Sequence, residues 1–126
     1  FMALGAANVT GYVLTENTER KPVKFAKAAI AASTTDGAVV AAVASKKIRV
    51  LGFILSPATT ATAVTFTTNP GGAGTAISAV ITTLAGAPFS SGFTELGHFE
   101  TAAGEGLSAT TGTGSTVGIE VTYVEI

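Results

Sequence analysis

The closing segment VGIEVTYVEI, residues 117–126, alternates large apolar residues with polar or small ones. Successive side chains of a strand point to opposite sides, so this period of two places one apolar row on a single face. That row consists of Val117, Ile119, Val121 and Tyr123. TAVTFTT, residues 62–68, alternates in the same way and directs Val64 and Phe66 inward. Both segments are therefore predicted to be half-buried strands.

Turn signals separate several further apolar runs of similar length. Strands are predicted at residues 24–33, 37–43, 46–56 and 76–84. Thr35-Asp36-Gly37 predicts a hairpin turn between the first two of these. About seven to nine short strands without a convincing helix predict an all-β protein, either an antiparallel β-sandwich or a jelly roll. We expect residues 25–126 to form this domain and residues 1–24 to form an extended N-terminal arm, poorly ordered unless a partner holds it.

KKIRVLGFILS, residues 46–56, is apolar on both faces in its second half. Strict alternation predicts one face with Ile48, Val50 and Ile54 and the opposite face with Leu51, Phe53 and Leu55. One face of a sandwich strand meets the core, so the other requires a separate cover. We expect that cover to be another subunit.

Composition favours a chain that buries surface against neighbours. Charged residues make up 12% of the sequence and hydrophobic residues 47%, which gives a weakly charged surface. Residues 1–49 contain all seven Lys and Arg and three acids, a net charge of +4, whereas residues 50–126 contain five Glu and no base. This split predicts polar contacts between copies or with an acidic partner, although chance placement in a charge-poor chain is the competing explanation. The absence of Cys excludes disulfides.

The densest run of chemically active groups is GHFETAAGEG, which contains His98, Glu100 and Glu105. A zinc site needs three or four ligands, and no second His or Cys exists to supply them. A nucleophilic triad lacks a serine elbow, and the two glutamates flank a turn instead of facing each other across a cleft. We therefore predict no catalytic residue, no metal site and no cofactor, so the chain is expected not to be an enzyme.

Two classes of partner are also not expected. The basic residues near Arg20 and Lys46 are few and lack the interleaved aromatic rings of a nucleic-acid platform. No segment reaches the roughly 18 uninterrupted apolar residues of a transmembrane helix. The sequence thus predicts neither nucleic acid nor membrane as a partner.

Four segments together resemble a module of tailed-bacteriophage structural proteins: KKIRVLGFILS, VTFTT, GHFETAAGEGLSATT and VGIEVTYVEI. The resemblance covers residues 36–126, and Phe99–Leu107 is its most specific part. His98 departs from it, because Trp is expected there. It implies a β-sandwich or jelly roll that assembles as a homotrimer on the major capsid protein.

The resemblance implies a capsid decoration (cement) protein that binds the outer surface of the mature phage head and stabilises the shell. In that function Leu51, Phe53 and Leu55 would form the trimer interface, and Arg20, Lys21 and Lys24 would contact the capsid. The alternative is a tail or fibre-associated virion domain that binds host surface glycans. The sequence offers little aromatic platform for a sugar, since aromatic residues make up 7% and Trp is absent.

Overall fold

The computed structural model describes residues 11–126, and these residues form strands and turns without a helix. In chain order the strands are β1 (Tyr12–Leu14), β2 (Arg20–Pro22), β3 (Lys24–Ile30), β4 (Gly37–Val40), β5 (Ile48–Pro57), β6 (Ala63–Asn69), β7 (Thr75–Ala76), β8 (Ile81–Thr82), β9 (Phe89–Ser90), β10 (Phe99–Glu100), β11 (Gly106–Thr111) and β12 (Val117–Glu125). All strand pairs are antiparallel. The all-β prediction is confirmed.

The strands form two five-stranded sheets and a separate hairpin. The first sheet has the order β10-β5-β12-β3, with β9 on the same edge of β5 as β10. The second has the order β4-β11-β6-β7, with β8 beside β6. The sheets pack over one hydrophobic core to which both contribute. The chain is thus an antiparallel β-sandwich.

The core follows the alternation of the sequence. Val64 and Phe66 are fully buried, as predicted, and the apolar row of β12 is buried as well. Phe66 belongs to an aromatic cluster, and its ring centroid lies 5.0 Å from those of both Phe53 and Phe99. A cluster of this kind adds packing geometry to the area that the rings remove from water.

A β-bulge in the pairing of β5 with β12 overturns the predicted faces of β5. Thr122 pairs with Gly52 but Tyr123 pairs with Val50, so Leu51 is skipped. The extra residue shifts the alternation by one. Val50 and Phe53 therefore both face the core, whereas Ile54 faces outward. The assignment of Leu51 and Phe53 to one face was wrong, because strict alternation assumes an unbroken ladder.

The turn at Thr35-Asp36-Gly37 is a corner between the two sheets and not a hairpin. Strand β3 pairs with β12, and β4 pairs with β11. Asp36 accepts the Thr67 hydroxyl at 2.8 Å and the Gly74 N–H at 2.9 Å. Both oxygens of its carboxylate thus fix this corner to the second sheet.

Residues 76–84, predicted to be one strand, form parts of two short ones. Strands β7 and β8 both pair with β6, and a loop lies between them. In that loop the Ser78 hydroxyl accepts the Phe66 N–H at 2.9 Å. A side chain thus takes the place of a backbone acceptor, which interrupts the ladder.

The predicted extended arm is corrected for its described part. Strands β1 and β2 form a hairpin, and Lys24 already belongs to β3. Val13 is buried against Leu51 and Val124 on the outer face of the first sheet. Its apolar side chain explains the docking, because burial of a Val side chain stabilises by about 1.5–3 kcal/mol. Residues 1–10 lie outside the described part of the chain.

Candidate interaction surfaces

The outer face of the first sheet carries a shallow groove with a volume of about 360 Å³. Strand register places Phe25, Thr122 and Gly52 in one row across β3, β12 and β5. A second row, two residues along, contains Lys27, Glu120 and Ile54. We call this surface the outer groove.

Exposed apolar side chains surround the outer groove. Phe25 is 76% exposed, Phe93 59% and Ile54 39%. An exposed apolar patch of this kind, rimmed by polar groups, marks interaction surfaces of soluble proteins. These residues were not identified from the sequence. The sequence pattern could have identified Phe25. It is adjacent to Ala26 on β3, so it points to the face opposite to that of the inward-facing Ala26 and Ala28.

One wall of the outer groove is the loop that follows β9. A Cβ on Gly52 would lie 3.0 Å from the carbonyl oxygen of Gly92, so glycine permits this loop to cross close to β5. The loop continues along the edge of β5, where the Thr94 N–H donates to the Leu51 carbonyl at 2.9 Å. The wall that carries Phe93 is therefore fixed to the sheet by backbone contacts.

The three residues predicted for a trimer interface are interior residues of the single chain. Leu51 is buried beneath the hairpin, whereas Phe53 and Leu55 belong to the main core. With the hairpin closed onto its own chain, these side chains leave little surface for a trimer contact. The structure corrects this residue assignment because the bulge and the hairpin give the second apolar face an internal cover.

An ion-pair cluster also links the hairpin to β5. Arg49 lies on β5 and is 7% exposed. Its guanidinium donates to both carboxylate oxygens of Glu16 at 2.8 and 2.7 Å and to Glu100 at 3.4 Å. Bidentate pairing of this kind fixes orientation as well as adding energy. The hydrogen bonds from Arg49 hold the pKa of Glu16 at about 2, below its ordinary value of 4.5, and the same pairing raises the pKa of Arg49.

The basic residues predicted to contact a capsid are mostly engaged within the chain. Lys21 pairs with Glu19 at 3.6 Å, and Lys24 pairs with Glu125 at 3.2 Å. The Arg20 guanidinium carbon lies 6.0 Å from the centre of the Tyr12 ring. Of these contacts, the Lys24–Glu125 pair joins the basic and the acidic part of the sequence. Capsid contact by these three residues stays a prediction.

The three titratable residues of the GHFETAAGEG run, His98, Glu100 and Glu105, each contact other groups within the fold. The Nε2 atom of His98 lies 3.0 Å from the Gly92 carbonyl oxygen, and Glu105 accepts the Thr68 hydroxyl at 2.7 Å. Glu100 pairs with Lys47 at 3.8 Å in addition to Arg49. Within residues 11–126, no group of three His, Asp or Glu side chains could hold a metal ion.

Comparison with known proteins adds no relative to these observations. No protein-family model matches the sequence, and no curated protein or solved structure matches the chain. Across the part that the structure describes, no helix has the length and apolar character needed to cross a membrane.

The Glu16–Arg49 pair predicts that acid weakens hairpin docking. Because the pKa of Glu16 is about 2 in the folded chain and 4.5 ordinarily, its contribution is complete above pH 4.5 and is lost as the pH falls toward 2. The protection factors of the Val13 and Thr15 amides, which are corrected for the intrinsic exchange rate at each pH, should therefore fall over this range relative to that of Phe66 in the core. In the Glu16→Gln variant the exchange of the hairpin should be faster at neutral pH and should lose this acid dependence. An unchanged acid dependence in that variant would assign the effect to other carboxylates.

Proposed function

We propose that this chain is a non-enzymatic virion protein, a capsid decoration protein that binds the outer surface of a mature bacteriophage head as a homotrimer. The observation that carries the proposal is the strand order. The chain crosses repeatedly between the sheets, and the early strands β3 and β4 lie beside the late strands β12 and β11. This order supports the jelly-roll form of the sandwich, an architecture frequent in viral capsid and lectin domains.

The segments that resemble phage structural proteins also come together in space. Arg49 of KKIRVLG lies opposite Glu100 of FETAAGEGL in the β5–β10 register. The turn after Thr101 then leads into β11 in the other sheet. The first segment thus pairs with the strand from which the second segment crosses to the other sheet. Because the two segments are in contact, we expect a module of this fold to contain both.

The weakly charged, partly apolar surface of the domain supports a protein that binds several neighbouring subunits. Charged residues are few, and several of them pair within the chain. The outer groove leaves Phe25, Ile54 and Phe93 exposed. In our proposal this surface contacts neighbouring copies in the trimer, in place of the buried residues of β5. A protein that binds only the mature lattice stabilises it by mass action.

Quantitative mass spectrometry of purified particles tests the proposal. The wild-type chain should be present near a simple whole-number ratio to the major capsid protein. Ile54→Asp places a charge in the outer groove without touching the core and should strongly reduce the copy number. Val80→Asp is the matched control, since Val80 is also exposed but lies near the second sheet, between β7 and β8. This variant should be incorporated like the wild type.

Each other outcome of that experiment contradicts part of the proposal. Absence of the wild-type chain from particles would overturn it entirely. Normal incorporation of Ile54→Asp would remove the outer groove from the assembly contacts. Only a few copies per particle would place the chain on the tail or at a unique vertex.

The exposed rings favour a second candidate, a tail or fibre-associated domain that binds host glycans. Phe25 and Phe93 line the outer groove together with Ser90, Glu120 and Thr122. Ligand sites combine apolar walls with a few polar groups that fix orientation, and this groove has both. A low copy number together with glycan binding that Phe93→Ala abolishes would support this candidate.

A further inference from the structure

The N-terminal hairpin, residues 11–22, is a separable unit of the fold. Within the described part of the chain, its strands pair only with each other, in a sheet apart from the two sheets of the sandwich. Its apolar contact is a small cluster centred on Val13, Leu51 and Val124, distinct from the main core. The bidentate Glu16–Arg49 pair links it to the sandwich through polar groups. A unit with so few attachments opens at a lower free energy than the whole domain.

The acceptor surface for this hairpin is built on the sandwich and does not depend on which chain supplies the hairpin. Leu51 and Val124 form its apolar floor, and Val23 and Ile126 pack at its side. Arg49 stands next to this floor and matches the Glu16 carboxylate. Apolar floor and cation together recognise one specific hairpin, with Val13 and Glu16 on its inner side.

The connection between hairpin and sandwich is very short. Strand β2 ends at Pro22 and β3 begins at Lys24, so Val23 alone joins them. Proline fixes its own φ and restricts the residue before it, which stiffens this connection. Short, stiff hinges favour exchange of an element between identical chains, because each interaction that opens within one chain forms again between two chains.

We propose that copies of this chain exchange their N-terminal hairpins, so that the hairpin of one copy occupies the acceptor surface of a second copy. The exchanged form contains the same Val13 and Glu16 contacts as the closed form, now between chains. Its population rises with protein concentration, since exchange is an association. This inference does not depend on the proposed virion function.

Single-cysteine variants test the exchange directly, because the natural chain contains no Cys. Val13→Cys is prepared with ¹⁵N label and Val124→Cys without it, and the two are unfolded together, refolded as a concentrated mixture and oxidised. A chain with one Cys cannot form an internal disulfide. A mixed-mass disulfide dimer between the two variants should therefore form, with a yield that rises with concentration. Leu51→Cys in place of Val124→Cys provides a second acceptor position if the first variant folds poorly.

The matched control is Leu14→Cys mixed with Val124→Cys. Leu14 neighbours Val13 but is exposed on the opposite side of the hairpin, so this pair should give only background crosslinking. Failure of the Val13→Cys mixtures to give the mixed dimer with either acceptor would overturn the proposal. Equal yields from Leu14→Cys and Val13→Cys would also overturn it, since they would show random collision. Copy number in virions is independent of both results.

Discussion

Replacement of Phe66 by Ala should destabilise the domain by about 3–5 kcal/mol, the usual cost of removing a large aromatic side chain from a core. Phe66 is fully buried, and its ring packs against those of Phe53 and Phe99. The loss comes from the transfer of the ring and from the cavity left between two rigid sheets. Domains of this size are stable by only about 5–15 kcal/mol, so the variant should be marginally folded. Denaturant titration followed by circular dichroism measures the effect.

Phe93→Ala is the matched control for this prediction. The same ring is removed, but Phe93 is 59% exposed on the outer groove. Its loss should change the free energy of unfolding by no more than about 0.5 kcal/mol. Similar losses for the two variants would mean that the aromatic cluster does not form the centre of the core.

The parts of the fold that could be predicted from the sequence are those determined by alternation alone. The inward rows of β6 and β12 repeat with period two over several residues, and both are buried as predicted. Alternation says which side of a strand is apolar but not which strand lies beside it. The corner at Asp36 shows the difference, since both flanking segments are strands but they belong to different sheets.

The errors in the candidate interface have the same origin. Leu51 is skipped in the ladder because β5 and β12 pair with a register shift, and a register between distant segments is not visible in either one. The cover of Leu51 by Val13 is a second long-range contact. Because the N-terminal segment alone does not show this contact, the sequence predicted an extended arm. In the structure its Val13 is buried in a small cluster with Leu51 and Val124.

The outer groove was not predictable for a related reason. Phe25, Ile54 and Phe93 come from three separate segments, and each one alone resembles an ordinary surface residue. Strand register and the close crossing of the Gly92 loop bring them to one surface. By contrast, His98 and Thr101 contact residues near them in the chain: His98 Nε2 lies close to the Gly92 carbonyl oxygen, and the Thr101 hydroxyl donates to the Glu105 carbonyl.

Replacement of Thr101 by Val, an isosteric change, should destabilise the domain because it removes two hydrogen bonds of a buried side chain. The Thr101 hydroxyl accepts the Ile48 N–H at 2.9 Å and donates to the Glu105 carbonyl at 3.1 Å, and the residue is 2% exposed. It thus ties the start of β5 to the turn that leads into β11. Val keeps the shape but leaves the buried N–H without a partner, which costs about 1–3 kcal/mol, and the carbonyl loses its donor as well.

The Thr101→Ser variant distinguishes the contribution of the hydroxyl to stability from that of the methyl group. It keeps both hydrogen bonds and removes only one buried methyl, so it should cost about 1 kcal/mol, less than the Val variant. Denaturant titration of both variants measures which contributes more to the free energy of unfolding, the hydrogen bonds of the hydroxyl or the packing of the methyl group. A larger loss for Ser than for Val would mean that packing, and not hydrogen bonding, explains the threonine in FETAAGEGL. The expected order, Val below Ser below wild type in stability, would identify this segment as a hydrogen-bonded joint between the sheets.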